Sequence, residues 1–448
     1  MVTKAYHIET YGCQMNVHDS EKIAGALHTL GYVQAKDAFS ADVIVFNTCC
    51  IRDTAEKKIL GNIGDLKHIK THRPDVIIAI VGCMTQQKGI AEQLVKKFPF
   101  IDIILGTSNA NEIADKVNEI VASRAQRRHR VVVIPRMEKP AINENEPVFR
   151  TSGTNAWVNI IYGCNNFCTY CIVPFVRGRE RSRAPDVIIE EIKGLLGQGY
   201  KEITLLGQNV NSYGSDRTDG SNFAKLLAEI GQLPGKFRLR FMTSHPKDFT
   251  SEVIDVIAAF PNICNNIHLP VQSGSNAVLK AMNRKYTREK YLDIIRMIRL
   301  KMPDCGITSD IMVGFPGETD DDFRDTLALV KEVRFSNAFT FVYSPRKGTY
   351  AATLDQVPHE IKKERITELV SVQNEITKEL SEQYVGGTFE VLAEDAPKEN
   401  LLCGRTESGR LVSFNGPSEY VGQFLQIKVT KAKASALFGE IINGKQCE

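Results

Sequence analysis

No apolar run in this 448-residue chain approaches the roughly 18 residues needed to cross a bilayer, so no membrane span is expected. Net charge is also scarce: 56 Lys and Arg stand against 53 Asp and Glu, leaving a formal charge of only +3. Any nucleic-acid surface must then be a local patch rather than the whole protein. The first residues, Met1-Val2-Thr3-Lys4-Ala5-Tyr6-His7, lack the long apolar stretch of a signal peptide. Eleven cysteines in so long a chain do not make the disulfide framework of a short secreted one. A reducing cytoplasm is therefore expected, with cysteines free to act as metal ligands. The length predicts about three domains with substantial cores.

What the sequence does have is the stretch Gly163-Cys164-Asn165-Asn166-Phe167-Cys168-Thr169-Tyr170-Cys171, directly after the apolar run Trp157–Tyr162. Its three thiols are spaced C-x₃-C-x₂-C. Thiolates on one short loop can hold three corners of a cubane [4Fe–4S] cluster, and without a fourth cysteine in the loop one iron stays open. A zinc loop or three unrelated core cysteines are the alternatives. Zinc usually takes four protein ligands in paired C-x₂₋₄-C knuckles, and no second knuckle follows. The loop resembles that of the radical S-adenosylmethionine (AdoMet) enzymes, which has this spacing and an aromatic before the last cysteine, here Tyr170. The resemblance implies AdoMet chelating the open iron, and an electron from the cluster cleaving the sulfonium to a 5′-deoxyadenosyl radical.

The first third repeats one pattern. Apolar runs Tyr6–Thr10, Val43–Phe46 and Val76–Val81 are each followed at once by cysteine, in Gly12-Cys13, Thr48-Cys49-Cys50 and Gly82-Cys83. Helical patterns separate them: Ser20 is placed to cap one bearing Ile23, Leu27 and Leu30, and Asp53 with Glu56 opens another. This alternation predicts βαβ units with a parallel sheet, whose carboxyl ends share one edge where ligands bind. Cys13, Cys49 and Cys83 should converge there as a second three-thiolate set with its own open iron. A lone strand-end cysteine is more often a small buried hydrophobe; the recurrence argues for the site. Cys50 is left out, because successive strand residues point opposite ways. A fourth run, Ile101–Leu105, carries no thiol.

Arg124, Arg127, Arg128 and Arg130 form a basic run in a linker, either solvated or in contact with phosphate. After the cysteine loop, strands are predicted at Trp157–Tyr162, Glu202–Leu206, Phe237–Met242, Cys264–Leu269, Ile307–Val313 and Ala338–Tyr343, with helices between. Six βα units suggest a partial (β/α)6 barrel, with its chemistry at the carboxyl ends of strands. The polar residues there, Gln208-Asn209, Ser244-His245, Gln272-Ser273, Asp310 and Ser344, are a candidate lining for AdoMet and substrate. Gly314-Phe315-Pro316-Gly317-Glu318 resembles the glycine turn that lies along AdoMet in this superfamily. Arg177, Arg179, Arg181 and Arg183 are either a polyanion-attracting set or a solvated one. A long helix is predicted from Glu360 to about Gln383. The last residues alternate in short runs, predicting a small five-stranded barrel similar to OB-folds. Lys428, Lys431, Lys433 and Lys445, with Phe414 and Phe424, suit RNA contact, or the aromatics are core. This unit resembles the TRAM domain of tRNA-modifying enzymes.

End to end, the chain resembles the methylthiotransferases, which have an N-terminal α/β domain, a radical AdoMet barrel and a TRAM domain. Thr10-Tyr11-Gly12-Cys13-Gln14-Met15-Asn16, Asn47-Thr48-Cys49 with Ile51-Arg52, and Leu206-Gly207-Gln208-Asn209-Val210-Asn211 are similar to the branch acting on tRNA isopentenyladenosine. The resemblance implies residues 1–122 as the α/β domain, 123–149 as linker, 150–381 as barrel and 382–448 as TRAM unit. It implies methylthiolation at C2 of N6-dimethylallyladenosine, position 37 of tRNA. Cys164, Cys168 and Cys171 would hold the radical-generating [4Fe–4S] cluster, and Cys13, Cys49 and Cys83 the sulfur-delivering one. Tyr170, Gln208, Ser244, Gln272, Asp310 and Gly314 would contact AdoMet. An electron donor, a sulfur or cluster source and a monomeric state go with that reading. The other readings are a methylthiotransferase for threonylcarbamoyladenosine or for a ribosomal protein, and a non-catalytic iron–sulfur RNA-binding protein.

Overall fold

The computed structural model describes residues 3–50, 53–123, 130–135, 143–144, 146–150 and 152–442. Ile51-Arg52, Arg124, Arg127, Arg128, Lys445 and the Asp53 side chain lie outside the described set. Among the described residues no helix is long and apolar enough to cross a membrane. The chain forms two compact units. The first is Met1–Thr151 with Tyr162–Asn165 and Cys171–Arg183; the second is Ser152–Ile161 with Asn166–Tyr170 and Ala184–Glu448.

In the first unit, strands β1 (Ala5–Thr10), β2 (Val33–Gln34), β3 (Val43–Thr48), β4 (Ile77–Gly82), β5 (Ile103–Leu105) and β6 (Val131–Val133) make one parallel sheet ordered β2-β1-β3-β4-β5-β6. Helices α1 (Gln14–Thr29), α2 (Asp53–His72), α3 (Ile90–Lys97) and α4 (Ile113–Ala122) lie between the strands in sequence. The central strands read as continuous apolar runs because both faces are covered. Val43, Val45, Ile77, Ala79 and Ile103 pack with Ile23 and Leu27 of α1 and Ile113 and Val117 of α4. Ile44, Phe46, Ile78, Ile80 and Ile104 pack with Ile59, Ile63 and Leu66 of α2. Two strands of this sheet were not foreseen. Val131–Val133, inside the stretch read as linker, pairs with β5, and Arg130 Nε reaches the Ile101 carbonyl at 2.9 Å. Val33–Gln34 is too short and exposed to leave a periodic signal.

Strand β7 (Asn155–Asn159) opens the barrel; β8 (Ile161–Tyr162) and β9 (Arg181–Ser182) are short. The barrel continues with β10 (Glu202–Leu206), β11 (Arg238–Phe241), β12 (Asn266–His268), β13 (Gly306–Val313) and β14 (Asn337–Val342). These form two parallel three-stranded halves, β11-β10-β7 and β12-β13-β14, joined by the Leu239–Ile263 bridge. Helix α5 (Val173–Arg177) follows the cysteine loop. Helices α6 (Pro185–Gly197), α7 (Phe223–Gly231), α8 (Ser251–Ala259), α9 (Asn276–Ala281), α10 (Arg288–Lys301) and α11 (Asp320–Val333) alternate with the strands. Pro185 occupies the first turn of α6, as its fixed φ favours. Helix α12 (His359–Glu382) leads to β15 (Thr388–Lys398), β16 (Leu401–Thr406), β17 (Leu411–Asn415), β18 (Phe424–Ala432) and β19 (Leu437–Ile441). These close into a barrel ordered β15-β16-β17-β19-β18 around Val391, Leu402, Val412, Phe414, Ile427 and Val429.

The turn between β16 and β17 meets the amino ends of the larger barrel's strands. Arg238 donates to the carbonyls of Arg405 and Glu390, and Arg240 to those of Thr406 (2.8 Å) and Glu407 (3.2 Å). Asn266 reaches the Ser408 carbonyl at 3.2 Å. Gly306 has no room for a side chain: a Cβ there would sit 2.2 Å from the Ser408 oxygen.

Candidate functional site

In the first unit, β1, β3 and β4 end together, and two glycines redirect the chain into the cysteines. Gly12 (φ 121°) precedes Cys13 and Gly82 (φ 105°) precedes Cys83, both in the region side chains rarely adopt. A Cβ on Gly12 would lie 2.7 Å from Cys49 Cβ and 2.9 Å from its Sγ, so the absence of a side chain lets Cys49 reach the Cys13 turn. The Cys83 amide donates to the Thr48 carbonyl at 2.9 Å. Helix α1 starts right behind Cys13 rather than at Ser20. The Cys13 carbonyl accepts from the amides of Asn16 (2.9 Å) and Val17 (3.2 Å), while Ser20, mid-helix, bonds Thr10 and Asn47 through its hydroxyl.

Buried Asn16 ties these turns together. Its amide nitrogen donates to the carbonyls of Tyr11 and Thr48, both at 3.0 Å, and its oxygen lies 3.7 Å from Cys13 Sγ. That oxygen also accepts from Arg177 Nη2 at 3.0 Å; the same nitrogen bonds Asp19 at 2.7 Å, and Arg177 Nε points at Cys83 Sγ, 3.3 Å away. Cys50 is not apart from the site. Its buried thiol meets Cys83, while Cys49 lies against Gly12, so the two neighbours diverge but stay at the same edge. The hydrogen bond from Cys50, then the Arg177 charge, pull Cys83 down to about 6 against its burial; the same bond and burial push Cys50 up. Cys264 and Cys305 differ: burial alone leads in raising them, to about 11 and about 12. Among the described residues no three Cys, His, Asp or Glu side chains converge as one metal ion requires. A cubane spreads its ligands over separate irons, and thiols set around common neighbours fit that donor arrangement.

The cysteine loop is held mostly through its backbone. The Cys164 amide donates to Gly178 O (3.0 Å) and the Asn165 amide to Glu180 Oε1 (3.1 Å). Phe167 takes φ 47°, and the Asn283 side chain donates to its carbonyl at 2.9 Å. Lys247 bonds Asn166 Oδ1 at 2.9 Å, and Thr169 bonds the Met282 and Ala281 carbonyls. Buried Arg284 sets Nη1 3.5 Å from Cys168 Sγ, with its other donors on Tyr286 Oη (2.9 Å) and the Pro270 carbonyl (2.8 Å).

The expected lining residues sit at or near the carboxyl ends of barrel strands. Gln208 follows β10, Ser244 follows β11, and Gly314 follows β13. Gln272 (φ 70°) bridges to Ile311, and Asp310 lies within β13, its carboxylate 3.7 Å from His268 Nε2. Tyr170 packs with Val278, Met282, Phe315, Tyr343 and Ala351. The Gly314 amide donates to Glu318 Oε1 at 2.9 Å. Gln208 Oε1, Ser244 Oγ, Tyr343 Oη and both amide atoms of Asn211 are buried without a hydrogen-bond partner among the described residues. Such atoms cost free energy unless a polar ligand satisfies them, so the lining fits a group as polar as AdoMet. His245 is not a base here: burial, then the charges of Arg284 and Lys247, push it down to about 2.

Lys428, Lys431 and Lys433 are exposed on the small barrel. Neither aromatic named with them is a free stacking platform. Phe414 is core, and Phe424 is faced by Lys236 (4.9 Å) and Arg238 (5.2 Å). Of the basic set after the loop, Arg177 and Arg183 are buried and paired, with Asp19 and Glu144, and cannot attract a polyanion. Sequence reasoning missed Arg177, Arg284, Asn16 and Asn283 as site residues.

Residues 158–330 match the Radical SAM superfamily, residues 382–442 the TRAM domain, and residues 5–106 a family described as uncharacterized protein family UPF0004. The chain is 52% identical over 440 residues to a tRNA-2-methylthio-N(6)-dimethylallyladenosine synthase of Clostridium botulinum (strain Langeland), covering 98% of this chain and 97% of that protein. It is 49% identical over 445 residues to one of Carboxydothermus hydrogenoformans, covering 99% and 100%. Among solved structures, the radical S-adenosylmethionine methyltransferase TsrM of Kitasatospora setae, with cobalamin and a [4Fe–4S] cluster bound, superposes with a TM-score of 0.58 at 15% identity, over 89% of this chain and 82% of that one. That likeness is one of fold.

Proposed function

The chain belongs to the family of tRNA-2-methylthio-N(6)-dimethylallyladenosine synthases, within the radical SAM superfamily, and from that premise we propose that it transfers a methylthio group to C2 of N6-dimethylallyladenosine at position 37 of tRNA. A bare aromatic C–H offers no acid and no leaving group, so side-chain acid–base catalysis has no handle and cofactors must carry the chemistry. In this reading Cys164, Cys168 and Cys171 hold one [4Fe–4S] cluster, and Cys13, Cys49 and Cys83 hold the other. Bound there with AdoMet, the clusters supply the electron that cleaves it and the sulfur to be transferred. The protein's own part is placement. Gly12 and Gly82 turn two strand ends inward, and Asn16 ties the turns. Asn283 and Lys247 fix the loop around Cys168. Gln208, Ser244, Gln272, Asp310 and Gly314, beside Tyr170, orient AdoMet, with Asn211 and Tyr343 adding unpartnered polar atoms. Lys428, Lys431 and Lys433 attract tRNA phosphates.

The partners proposed are tRNA carrying dimethylallyladenosine, an electron donor and a sulfur or cluster source. The protein acts as a cytoplasmic monomer, with an α/β domain that takes in Val131–Val133 beyond residues 1–122, a barrel over 150–381 and a TRAM unit over 382–448. One observation supports the reading above the others: Cys83, at the end of a parallel strand, and Cys168, in the cysteine loop, each have a buried guanidinium within hydrogen-bond reach of the sulfur. Anaerobically reconstituted protein, given AdoMet, a reductant and tRNA bearing dimethylallyladenosine, should yield the 2-methylthio nucleoside by mass analysis. Product only on threonylcarbamoyladenosine tRNA or on a ribosomal protein would move the activity to another branch. No AdoMet cleavage by fully loaded protein would leave an iron–sulfur RNA-binding protein.

A further inference from the structure

We propose that Arg177 is a positioning residue of the sulfur-delivering cluster, fixing the Cys83 sulfur and making that cluster easier to reduce; this rests on Cys13, Cys49 and Cys83 being its ligands. In sequence Arg177 is one of four arginines at alternate positions, a pattern that reads as solvated. In the fold it is 7% exposed, at the end of α5, where Gly178 (φ 77°) turns the chain away. Burying a guanidinium is costly unless its charge and its donors are all met. Asp19 supplies the charge at 2.7 Å and Asn16 a second acceptor at 3.0 Å, both through Nη2. A merely structural arginine would be complete with oxygen acceptors. Here Nε–H is spent on sulfur instead, at Cys83 Sγ, 3.3 Å away.

Two effects follow for a cluster on those thiols. An N–H···S bond and a nearby cation both favour negative charge on sulfur, and an added electron is added negative charge, so both raise the reduction potential. Through Asn16 Oδ1, which Cys13 Sγ also approaches at 3.7 Å, the same side chain restrains a second ligand. The stretch that brings Arg177 in begins with Cys171 of the other set, so one short segment carries a ligand for one cluster and a cation for the other.

The test is an EPR-monitored redox titration of anaerobically reconstituted full-length protein, wild type, Arg177→Met and Arg177→Lys. Iron and sulfide analysis should give two clusters in each. The auxiliary cluster of Arg177→Met should titrate at a more negative potential than in wild type, with the radical cluster of the same sample as internal reference, and Arg177→Lys should recover part of the shift. An unchanged auxiliary potential in Arg177→Met overturns the proposal. Where Arg177→Met holds only one cluster, a second cluster regained in Arg177→Lys supports it. Failure of both variants to hold the second cluster, with the Tm of cluster-free protein lowered equally in both, overturns it by making Arg177 a folding residue. A single cluster in wild type would instead overturn the cysteine assignment beneath it.

Discussion

Cys164, Cys168 and Cys171 are delivered by one short loop, whereas Cys13, Cys49 and Cys83 are delivered by three strand ends that only the sheet brings together. Each set has a buried arginine on a sulfur, but the two are balanced differently. Arg177 is shared between the Asp19 carboxylate and the Cys83 sulfur. Arg284 meets a tyrosine hydroxyl and a carbonyl, and among the described residues no carboxylate pairs with it. A buried cation held by neutral acceptors directs its field at the remaining neighbour, the Cys168 sulfur 3.5 Å from Nη1. Among the described residues the loop site thus has an arginine without a carboxylate beside it, and the sheet site an arginine–carboxylate pair together with the Gly12 and Gly82 turns.

The sharpest break between them is by cysteine. Cys168→Ala should reduce both 5′-deoxyadenosine and methylthio nucleoside to background. Cys49→Ala should remove the nucleoside product and leave AdoMet cleavage, a split read by chromatography beside nucleoside mass analysis. Loss of product in Cys50→Ala but not in Cys49→Ala would exchange the ligand within that pair. Next comes Arg284→Met, which removes the uncompensated charge at Cys168. AdoMet cleavage should fall by about 100-fold, equivalent to about 2.7 kcal/mol, at constant iron content.

A gentler break targets shape. Gly12→Ala places a Cβ against Cys49 at a φ that costs an L-residue about 1–3 kcal/mol. Iron analysis should show the sheet-edge cluster at lowered occupancy with the loop cluster intact, and product down about tenfold, or about 1.4 kcal/mol. Full product with two clusters in that variant would mean the turn can shift. The smallest effect touches neither thiol set. Replacing Lys428, Lys431 and Lys433 together by Ala should weaken tRNA binding and make it less sensitive to salt, by about one unit of log–log slope for each phosphate left without its lysine. Unchanged affinity at low salt would remove these lysines from the RNA surface.

The loop was legible because its spacing is local, and the strand-end cysteines because a repeated strand–cysteine pattern implies a common edge. The arginines were not. Nothing in Arg177-Gly-Arg179-Glu-Arg181 distinguishes a buried member from solvated ones, since the acceptors lie far away in sequence at Asn16, Asp19 and Cys83. The start of α1 was misplaced for a related reason: Ser20 looks like a cap, but Gly12 has already turned the chain, and the hydroxyl is used sideways on Thr10 and Asn47. Val131–Val133 was hidden by the polar residues around it, although three paired residues suffice to extend a sheet already formed. Cys50 was set aside on alternation alone, and alternation lapses where β3 ends at Thr48.

The turn Arg405–Arg410 bears on how this protein is to be taken apart. Its carbonyls satisfy donors of Arg238 and Arg240 that are otherwise buried at the amino end of the larger barrel, and Arg240 also holds Glu202 at 2.8 Å. Deleting the carboxyl-terminal barrel would uncover those guanidinium groups and loosen the Glu202 pair, whose disruption costs about 3–5 kcal/mol when one partner is lost. The two barrels are therefore inseparable as reagents, although their sequences look like separate modules. A shortened chain that lost RNA affinity would report on a damaged enzyme as much as on a missing surface, whereas point changes at exposed lysines leave that seam closed.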